Sequence, residues 1–352
     1  MILPSEATKA PWSAHHRRLH RHLLRRPELL PSGDSLLLAV SGGQDSMALT
    51  VLLADLRRLH GWQLLLWHGN HGWRSEAADQ AGALAAWAEQ RGLPLRVDQA
   101  DPAPVGEAAS RAWRYGCLER VALELGCRHV VTGHTASDRA ETVLLNLARG
   151  SHLRGLTSLR AQRPLAQGPL TQGPGQGPRL VRPLLPFSRE DTARVCRDLA
   201  IPVWEDSSNA DRRYRRNRLR AEVMPVLEAL HPGASRRIAA QAERLEEELT
   251  DQDQLLDLAL QGLALASDPS GRTLARRALG QLGPANRRRL LQHWLRRHGA
   301  QGLEGAALED LGRRLEPEQG PGQQDLAGGW RLRWQRSTLG LQAPGDPEHG
   351  DG

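Results

Sequence analysis

Six residues, Ser41-Gly42-Gly43-Gln44-Asp45-Ser46, constrain this chain more than any other stretch because of what stands on either side of them. Before them runs a short apolar segment, Ser35 to Val40, with the content of a buried strand; after them, Ser46 to His60 has helical periodicity. A strand, a glycine turn and a helix start in that order bring backbone N–H groups and the positive end of a helix to one point, which suits phosphate. The loop is not of the G-x-x-x-x-G-K-[ST] type, since Lys9 is the only lysine in the chain. The bland alternative is an ordinary glycine turn with Asp45 or Ser46 as N-cap. Two glycines alone would favour it; the full SGGxDS string at the end of a strand does not.

The alternation continues. Gln63 to His68 reads as a second strand, Glu76 to Arg91 as a helix, Leu95 to Asp98 as a third strand, Glu107 to Leu125 as a helix and Arg128 to Thr132 as a fourth strand. Strands alternating with helices predict an α/β fold with a parallel sheet covered on both faces, where ligands bind at the carboxyl ends of strands. Gly168 to Pro178 is a Gly/Pro/Gln insert that cannot bury a core and is expected as a mobile surface loop. From Asn217 to about Leu263 the pattern is helical, with further helices expected at Pro284 to His298 and Leu303 to Leu315 and a terminal hairpin from Trp330 to Trp334 and Ser337 to Leu341. The change of texture near Glu228 divides an expected N-terminal domain, 1–227, from a mainly helical C-terminal domain, 228–352.

At 352 residues there is length for two domains, and Lys plus Arg exceed Asp plus Glu by 47 − 40 = 7, which points to an anionic partner and to nucleic acid ahead of membrane. No apolar run approaches the length of a bilayer span, and the basic lead-in around Arg17 to Arg26 has no apolar h-region. Cys117, Cys127 and Cys196 form neither a C-x-x-C pair nor a zinc pattern. A cytoplasmic protein with no membrane association and no obligate protein partner is expected.

Other strings bear on chemistry. Asp45 is the natural carboxylate for a Mg²⁺ ion bridging phosphate oxygens, with helix capping as its ordinary role. Thr132-Gly133-His134-Thr135-Ala136-Ser137-Asp138-Arg139-Ala140-Glu141 again joins a strand end to a helix, and Asp138 and Glu141, three apart, share a face that could bind a cation or an amine. A capped helix start explains a lone D-x-x-E equally well; its place beside the first loop in a parallel sheet favours a site. Glu107, Arg111, Arg114 and Tyr115 fall around one helix surface, as a solvated face or as an anion clamp. The acidic turn Glu205 to Asp211 leads into Arg212, Arg213, Arg215, Arg216, Asn217, Arg218 and Arg220, the densest basic run, suited to gripping substrate or RNA backbone.

The SGGQDS loop resembles the PP-loop of ATP pyrophosphatases. Together with His68 to Arg74 (HGNHGWR), the TGHTASDRAE string, Arg182-Pro183-Leu184-Leu185 and the Arg-rich run, it resembles the tRNA(Ile)-lysidine synthases in order from about Leu36 to Arg220. Arg287 to Gly299 and Gly328 to Trp334 are similar to that family's first C-terminal domain. Ser137 departs from the pattern, since many members carry a second acid before Asp138. The resemblance implies a PP-loop, adenine nucleotide α-hydrolase-like N-terminal domain, and a reaction in which cytidine 34 of the CAU anticodon of tRNA(Ile) is adenylated with ATP and Mg²⁺, and free L-lysine then displaces AMP. It implies ATP contacts at Ser41, Gly42, Gly43, Gln44, Asp45, Ser46 and His134. Asp138 and Glu141 bind lysine, while Arg111 or Arg114 and Arg215, Asn217 or Arg220 help to hold substrate. The catalytic groups are then drawn from Asp45, Asp138, Glu141 and Arg111, with the base among the three acids.

Three rivals predict different residues. A PP-loop tRNA thiolase would require reactive cysteines in place of the isolated three. A synthetase coupled to a glutaminase would require a nucleophilic cysteine at the N-terminus, where Ile2 follows Met1, or a separate glutaminase domain, and neither is expected here. A catalytically silent RNA-binding module would have no reason to keep SGGQDS, Asp138 and Glu141 intact.

Overall fold

Alternate residues of the first strand enter different cores, and this orders the larger half of the molecule. In the computed structural model, which describes residues 12–71, 76–165, 177–204, 212–266, 268–300, 302–303, 305–316 and 318–346, β1 (Ser35–Ala39) lies in the middle of a six-stranded sheet. Leu36 and Leu38 pack with Leu64, Leu66, Met47, Leu52 and Phe187 on one face; Leu37 packs with Trp67, Leu118, Val121, Val130 and Leu180 on the other. Each such side chain taken fully out of water contributes about 1.5–3 kcal/mol.

The chain divides into compact units Met1–Glu246 and Glu247–Gly352. The first begins with α1 (Ala14–Arg25). After β1 come α2 (Gln44–His60), β2 (Gln63–Asn70), α3 (Glu76–Gln90), β3 (Leu95–Gln99), α4 (Glu107–Glu124), β4 (His129–Thr132) and α5 (Ala136–Ala148). Next are α6 (Leu153–Leu156), β5 (Gln162–Pro164), β6 (Arg179–Val181), α7 (Arg189–Asp198), α8 (Arg215–Arg218), a π-helical turn over Leu219–Val223, α9 (Met224–Leu230) and α10 (Ala234–Leu263). The strand order is β3-β2-β1-β4-β6-β5, with every pair parallel except β5 with β6. The chain winds outward from β1 to β3 and returns through α4 to place β4 on the other flank of β1. The carboxyl ends of β1 and β4 therefore border the point where winding reverses, the place such sheets offer for a ligand.

The expected parallel sheet is present, with three adjustments. β2 runs two residues further than expected, so Gly69 and Asn70 also belong to the strand. The α2 helix begins at Gln44, with Gly43 as N-cap and no side-chain cap, so neither Asp45 nor Ser46 caps it. The helical pattern expected from Asn217 to about Leu263 is interrupted at His231–Gly233, where Gly233 has φ +84°. Most of the Gly/Pro/Gln insert, 166–176, and the acidic turn 205–211 lie outside the described residues.

The second unit adds β7 (Thr273–Ala275), α11 (Arg276–Gly280), α12 (Pro284–Arg297), α13 (Ala306–Arg314), β8 (Gly322–Asp325), β9 (Arg331–Trp334) and β10 (Thr338–Gln342). The expected hairpin is β9 with β10, and it belongs to an antiparallel sheet of order β7-β10-β9-β8. Trp294, Leu290, Leu311, Leu332 and Leu339 fill the core of this unit. Arg276, 1% exposed, is buried as a cation, and its guanidinium donates to the carbonyls of Leu315, Gln335, Arg314, Glu316 and Gln319 at 2.7–3.2 Å. The division between the units falls inside α10, later in the chain than the change of texture at Glu228.

Candidate active site

The turn after β1 is tied by its own hydroxyls. Gly42 has φ +83°, in the left-handed region that a side chain disfavours, and its carbonyl accepts from the Trp204 amide at 3.0 Å. Ser46 Oγ accepts from the Ser41 amide at 3.2 Å and donates to the Gly43 carbonyl at 2.9 Å, and Ser41 Oγ accepts from the Gly43 amide at 3.3 Å. The first amides of α2, which have no acceptor within the helix, are thus held at the mouth of a rigid loop. Beneath it the buried His68 donates from Nδ1 to the Val40 carbonyl at 2.8 Å, and burial lowers its pKa.

The turn after β4 is pressed directly against this loop. A Cβ on Gly133 would stand 2.9 Å from the carbonyl carbon and oxygen of Asp45 and from the amide nitrogen of Ser46, so only glycine allows the two turns their spacing. From this turn α5 starts in a capping box. The Asp138 carboxylate accepts from the Thr135 amide at 2.8 Å and from its hydroxyl at 3.0 Å, while Thr135 Oγ1 accepts from the Asp138 amide at 3.4 Å. One Asp138 oxygen is used by the cap. The other faces Arg216 at 3.0 Å and Arg220 at 3.6 Å.

Glu141, one turn on and 1% exposed, is held more tightly. Arg216 Nε donates to it at 2.7 Å, and Arg220 donates through Nε at 2.7 Å and through its terminal nitrogen at 3.0 Å. Two buried acids are thus matched by two arginines. Burial alone would push the Asp138 pKa up; Arg216, His134, the Thr135 amide and Arg220 outweigh it and hold the carboxyl below its ordinary range. Asp45 is less well matched. Burial, then the charge of Asp138, raise its pKa, against the weaker pull of Arg189 at 3.6 Å, the Thr192 hydroxyl donating at 2.5 Å, and Arg220. His134 Nδ1 is 2.9 Å from Thr132 Oγ1, and burial followed by Arg182 pushes its pKa down to about 3, so the ring is neutral.

The expected residues therefore converge in part. Ser41, Gly42, Gly43, Asp45, Ser46, His134, Asp138, Glu141 and Arg220 gather around the ends of β1 and β4. The Gln44 side chain turns away to the Arg189 carbonyl at 2.7 Å and the Thr192 hydroxyl at 2.8 Å, leaving its backbone for the loop. Arg111 is exposed with its guanidinium 4.8 Å over the Tyr115 ring, and its charge reaches His134; Arg114 is exposed on the same helix. Arg215 is exposed and lines, with Tyr214, Arg149 and Arg216, a cavity of about 330 Å³ beside the acid pair; Asn217 is half-buried next to it. Ser137 accepts from the Arg189 amide at 3.1 Å, a structural contact.

Sequence reasoning passed over Arg189, Thr192 and Trp204, and took Arg216 only as one member of the basic run, without its pairing to Asp138 and Glu141. Only Arg216 had a readable signal: it stands four residues before Arg220, the spacing that puts both on one helical face. Among the described residues no cluster of three or more His, Cys, Asp or Glu is arranged to hold a metal ion. Asp45 does fit a Mg²⁺ that takes its other ligands from phosphate and water, because its carboxylate is short of positive charge. Cys117, Cys127 and Cys196 are all buried, and burial pushes the Cys196 thiol up to about 11. No helix among the described residues is long and apolar enough to cross a membrane.

The chain is similar to known proteins along most of its length. The PP-loop domain family matches residues 14–227. A tRNA(Ile)-lysidine synthase of Parasynechococcus marenigrum (strain WH8102) is 53% identical over 334 residues, covering 95% of this chain and 96% of its own. One from Prochlorococcus marinus is 39% identical over 345 residues, covering 96% and 98%. Among solved structures, a U34-tRNA thiolase from Methanococcus maripaludis, with its [4Fe-4S] cluster, has a TM-score of 0.54 at 18% identity over 66% of this chain and 78% of that one, a likeness of fold alone.

Proposed function

The chain belongs to the tRNA(Ile)-lysidine synthase family, and from that premise we propose that it joins free L-lysine to C2 of cytidine 34 in the CAU anticodon of tRNA(Ile). It is an ATP-dependent carbon–nitrogen ligase. In the first step the C2 oxygen of the base attacks the α-phosphorus of ATP and pyrophosphate leaves. In the second the ε-amine of lysine attacks C2 and AMP leaves with the oxygen, so that the modified anticodon reads AUA. The observation that carries this reading is the contact of Gly133 with the Asp45 and Ser46 backbone, which brings a phosphate loop and a buried acid pair into one crevice.

Each residue then has a task. The amides of Gly43 to Ser46 hold the phosphates, and neutral His134 offers a hydrogen bond to the nucleotide without adding charge. Asp45 would hold Mg²⁺, which supplies neutralisation of charge on departing pyrophosphate. Asp138 and Glu141 receive the lysine ammonium, whose solution pKa near 10.4 requires it to lose a proton before attack. Since Arg216 and Arg220 already match both acids, amine binding requires these arginines to shift, and phosphates of ATP or tRNA are their natural alternative partners. Arg111, Arg114, Arg215 and Asn217 hold substrate around the crevice. We assign 1–227 to catalysis and 228–352 to gripping the tRNA body, in the cytoplasm. The buried thiols, with Cys196 at about 11, favour amine transfer over sulfur transfer.

The test is incorporation of labelled lysine into unmodified tRNA(Ile) bearing CAU, with purified protein, ATP and Mg²⁺, beside a methionine tRNA control. Lysine should enter only the isoleucine tRNA and only with ATP. ATP cleavage on tRNA without lysine transfer would overturn the choice of second substrate.

A further inference from the structure

α1 carries a row of arginines that its own fold does not use. Its inner side is committed: Leu19 and Leu23 are 0% and 2% exposed, and the buried His16 lies 3.0 Å from Asp55. Arg18 is committed as well. It donates to the Pro186 carbonyl at 2.7 Å, pairs with Asp191 at 3.0 Å and lies 4.3 Å over the Phe187 ring, which pins the helix to the segment before α7. Arg17, Arg21 and Arg25 differ. They recur every fourth residue, are exposed, and have no carboxylate partner among the described residues. With Arg18, His22 and Pro186 they line an open cavity of about 520 Å³. Exposed arginines elsewhere are commonly paired, as Arg296 with Asp253, Arg297 with Asp257 and Arg314 with Asp310.

Like charges four apart on a helix repel, by about 0.2–0.5 kcal/mol a pair, so this spacing opposes the helix that carries it. The helical rise separates successive members by roughly 6 Å, comparable with successive phosphates on one nucleic-acid strand. A membrane surface would need an apolar side to insert, and Leu24 is the single large apolar side chain exposed on α1. The stripe also lies near the site: Pro186, in its cavity, stands three residues before Arg189, whose guanidinium faces Asp45 at 3.6 Å.

We propose that Arg17, Arg21 and Arg25 form a phosphate track that holds the tRNA backbone outside the catalytic crevice, positioning the RNA without reading its sequence. This rests on the reading of the chain as a tRNA-modifying enzyme. Replacing all three by glutamine in the full-length protein removes three phosphate contacts. The slope of log affinity for tRNA(Ile) against log salt should become shallower by roughly 2 to 3, from about 0.7–0.9 per contact, with affinity at least about tenfold weaker at low salt. The KM for tRNA should rise, while kcat at saturating tRNA and the KM for ATP stay within about twofold, because no group at the reacting atoms has changed. Arg21→Gln alone should give about a third of the slope change.

The control is Arg58→Gln, Arg91→Gln and Arg128→Gln together, an equal loss of charge from exposed arginines off the stripe. Equal slopes for the two triple variants would overturn the track, as would lost binding to phosphatidylserine vesicles with tRNA binding unchanged. Wild-type protein that binds no tRNA would sink the functional reading and the track with it. Wild-type lysine transfer with unaltered tRNA binding by the stripe variant would sink the track alone.

Discussion

Asp45 carries a charge that its surroundings resist. Its pKa is raised by burial and by Asp138, so its ionised form costs stability once pH has risen through the folded value. Asp45→Asn should therefore raise the Tm of the ligand-free protein at pH 7, by roughly 1–4 °C in a thermal melt, while abolishing ATP-dependent transfer. A lowered Tm would mean that the contacts with Arg189 and Thr192 outweigh the charge. Asp138 has the opposite sign. Its lowered pKa makes its pairing a contribution that is full above the ordinary aspartate value and lost as pH falls through the folded one, so it is intact at neutral pH. Asp138→Asn should cut lysine transfer by roughly 10² or more and alter the ATP dissociation constant by under about threefold. Equal loss of both would remove Asp138 from the lysine site. At this scale the acids were legible in sequence because SGGxDS and D-x-x-E are local strings. Arg189 and Thr192 were not, since their link to Asp45 spans some 145 residues and exists only when α7 packs beside α2.

Among the elements, the meeting of two turns is what makes one site from two strings. Gly133→Ala would drive a methyl group against backbone atoms of Asp45 and Ser46 that cannot swing aside, and should destabilise the protein by about 1–3 kcal/mol in denaturant titrations. Its activity loss should exceed what that instability explains, appearing as weakened ATP binding in the folded fraction. Gly82→Ala, on α3 with open space around it, should instead gain about 0.4–1 kcal/mol. Periodicity predicted the parallel strands because β1, β2 and β4 are continuous apolar runs. It missed β5, β6, β7 and β8 because three- and four-residue strands such as Gln162–Pro164 and the polar Gly322–Asp325 hold no period long enough to read. The break at Gly233 was legible as the dipeptide Pro232-Gly233, a turn signal that the helical pattern on either side masked.

For the molecule as a whole, two compact units with no shared core cluster imply two cooperative units. Arg276→Leu would remove the buried donor that ties the carbonyls of Leu315, Gln335, Glu316 and Gln319 together, so residues 247–352 should become protease-sensitive while ATP binding by the first unit persists. Simultaneous loss of both would show the units to be one. Acid should act through His134 and His68: with folded pKa values below that of the free imidazole, they contribute stability above about pH 6.5 that declines as pH falls toward the folded values, about 3 for His134. His134→Asn should flatten the fall in Tm between pH 7 and 5. The α/β character of the earlier part and the helical texture of the later part were legible in sequence, whereas the role of Arg276 in the second unit was not, because a buried cation held by carbonyls looks in sequence like any basic residue. The site itself draws on Ser41 to Ser46, Gly133 to Glu141, Arg189 to Thr192 and Arg216 to Arg220, which has a consequence in time. At roughly 5–20 residues per second, about 9–35 s pass on the ribosome between emergence of the loop Ser41 to Ser46 and emergence of Arg220. Until then Glu141 lacks both Arg216 and Arg220, so the buried acid pair cannot reach its folded charge balance before that residue has emerged.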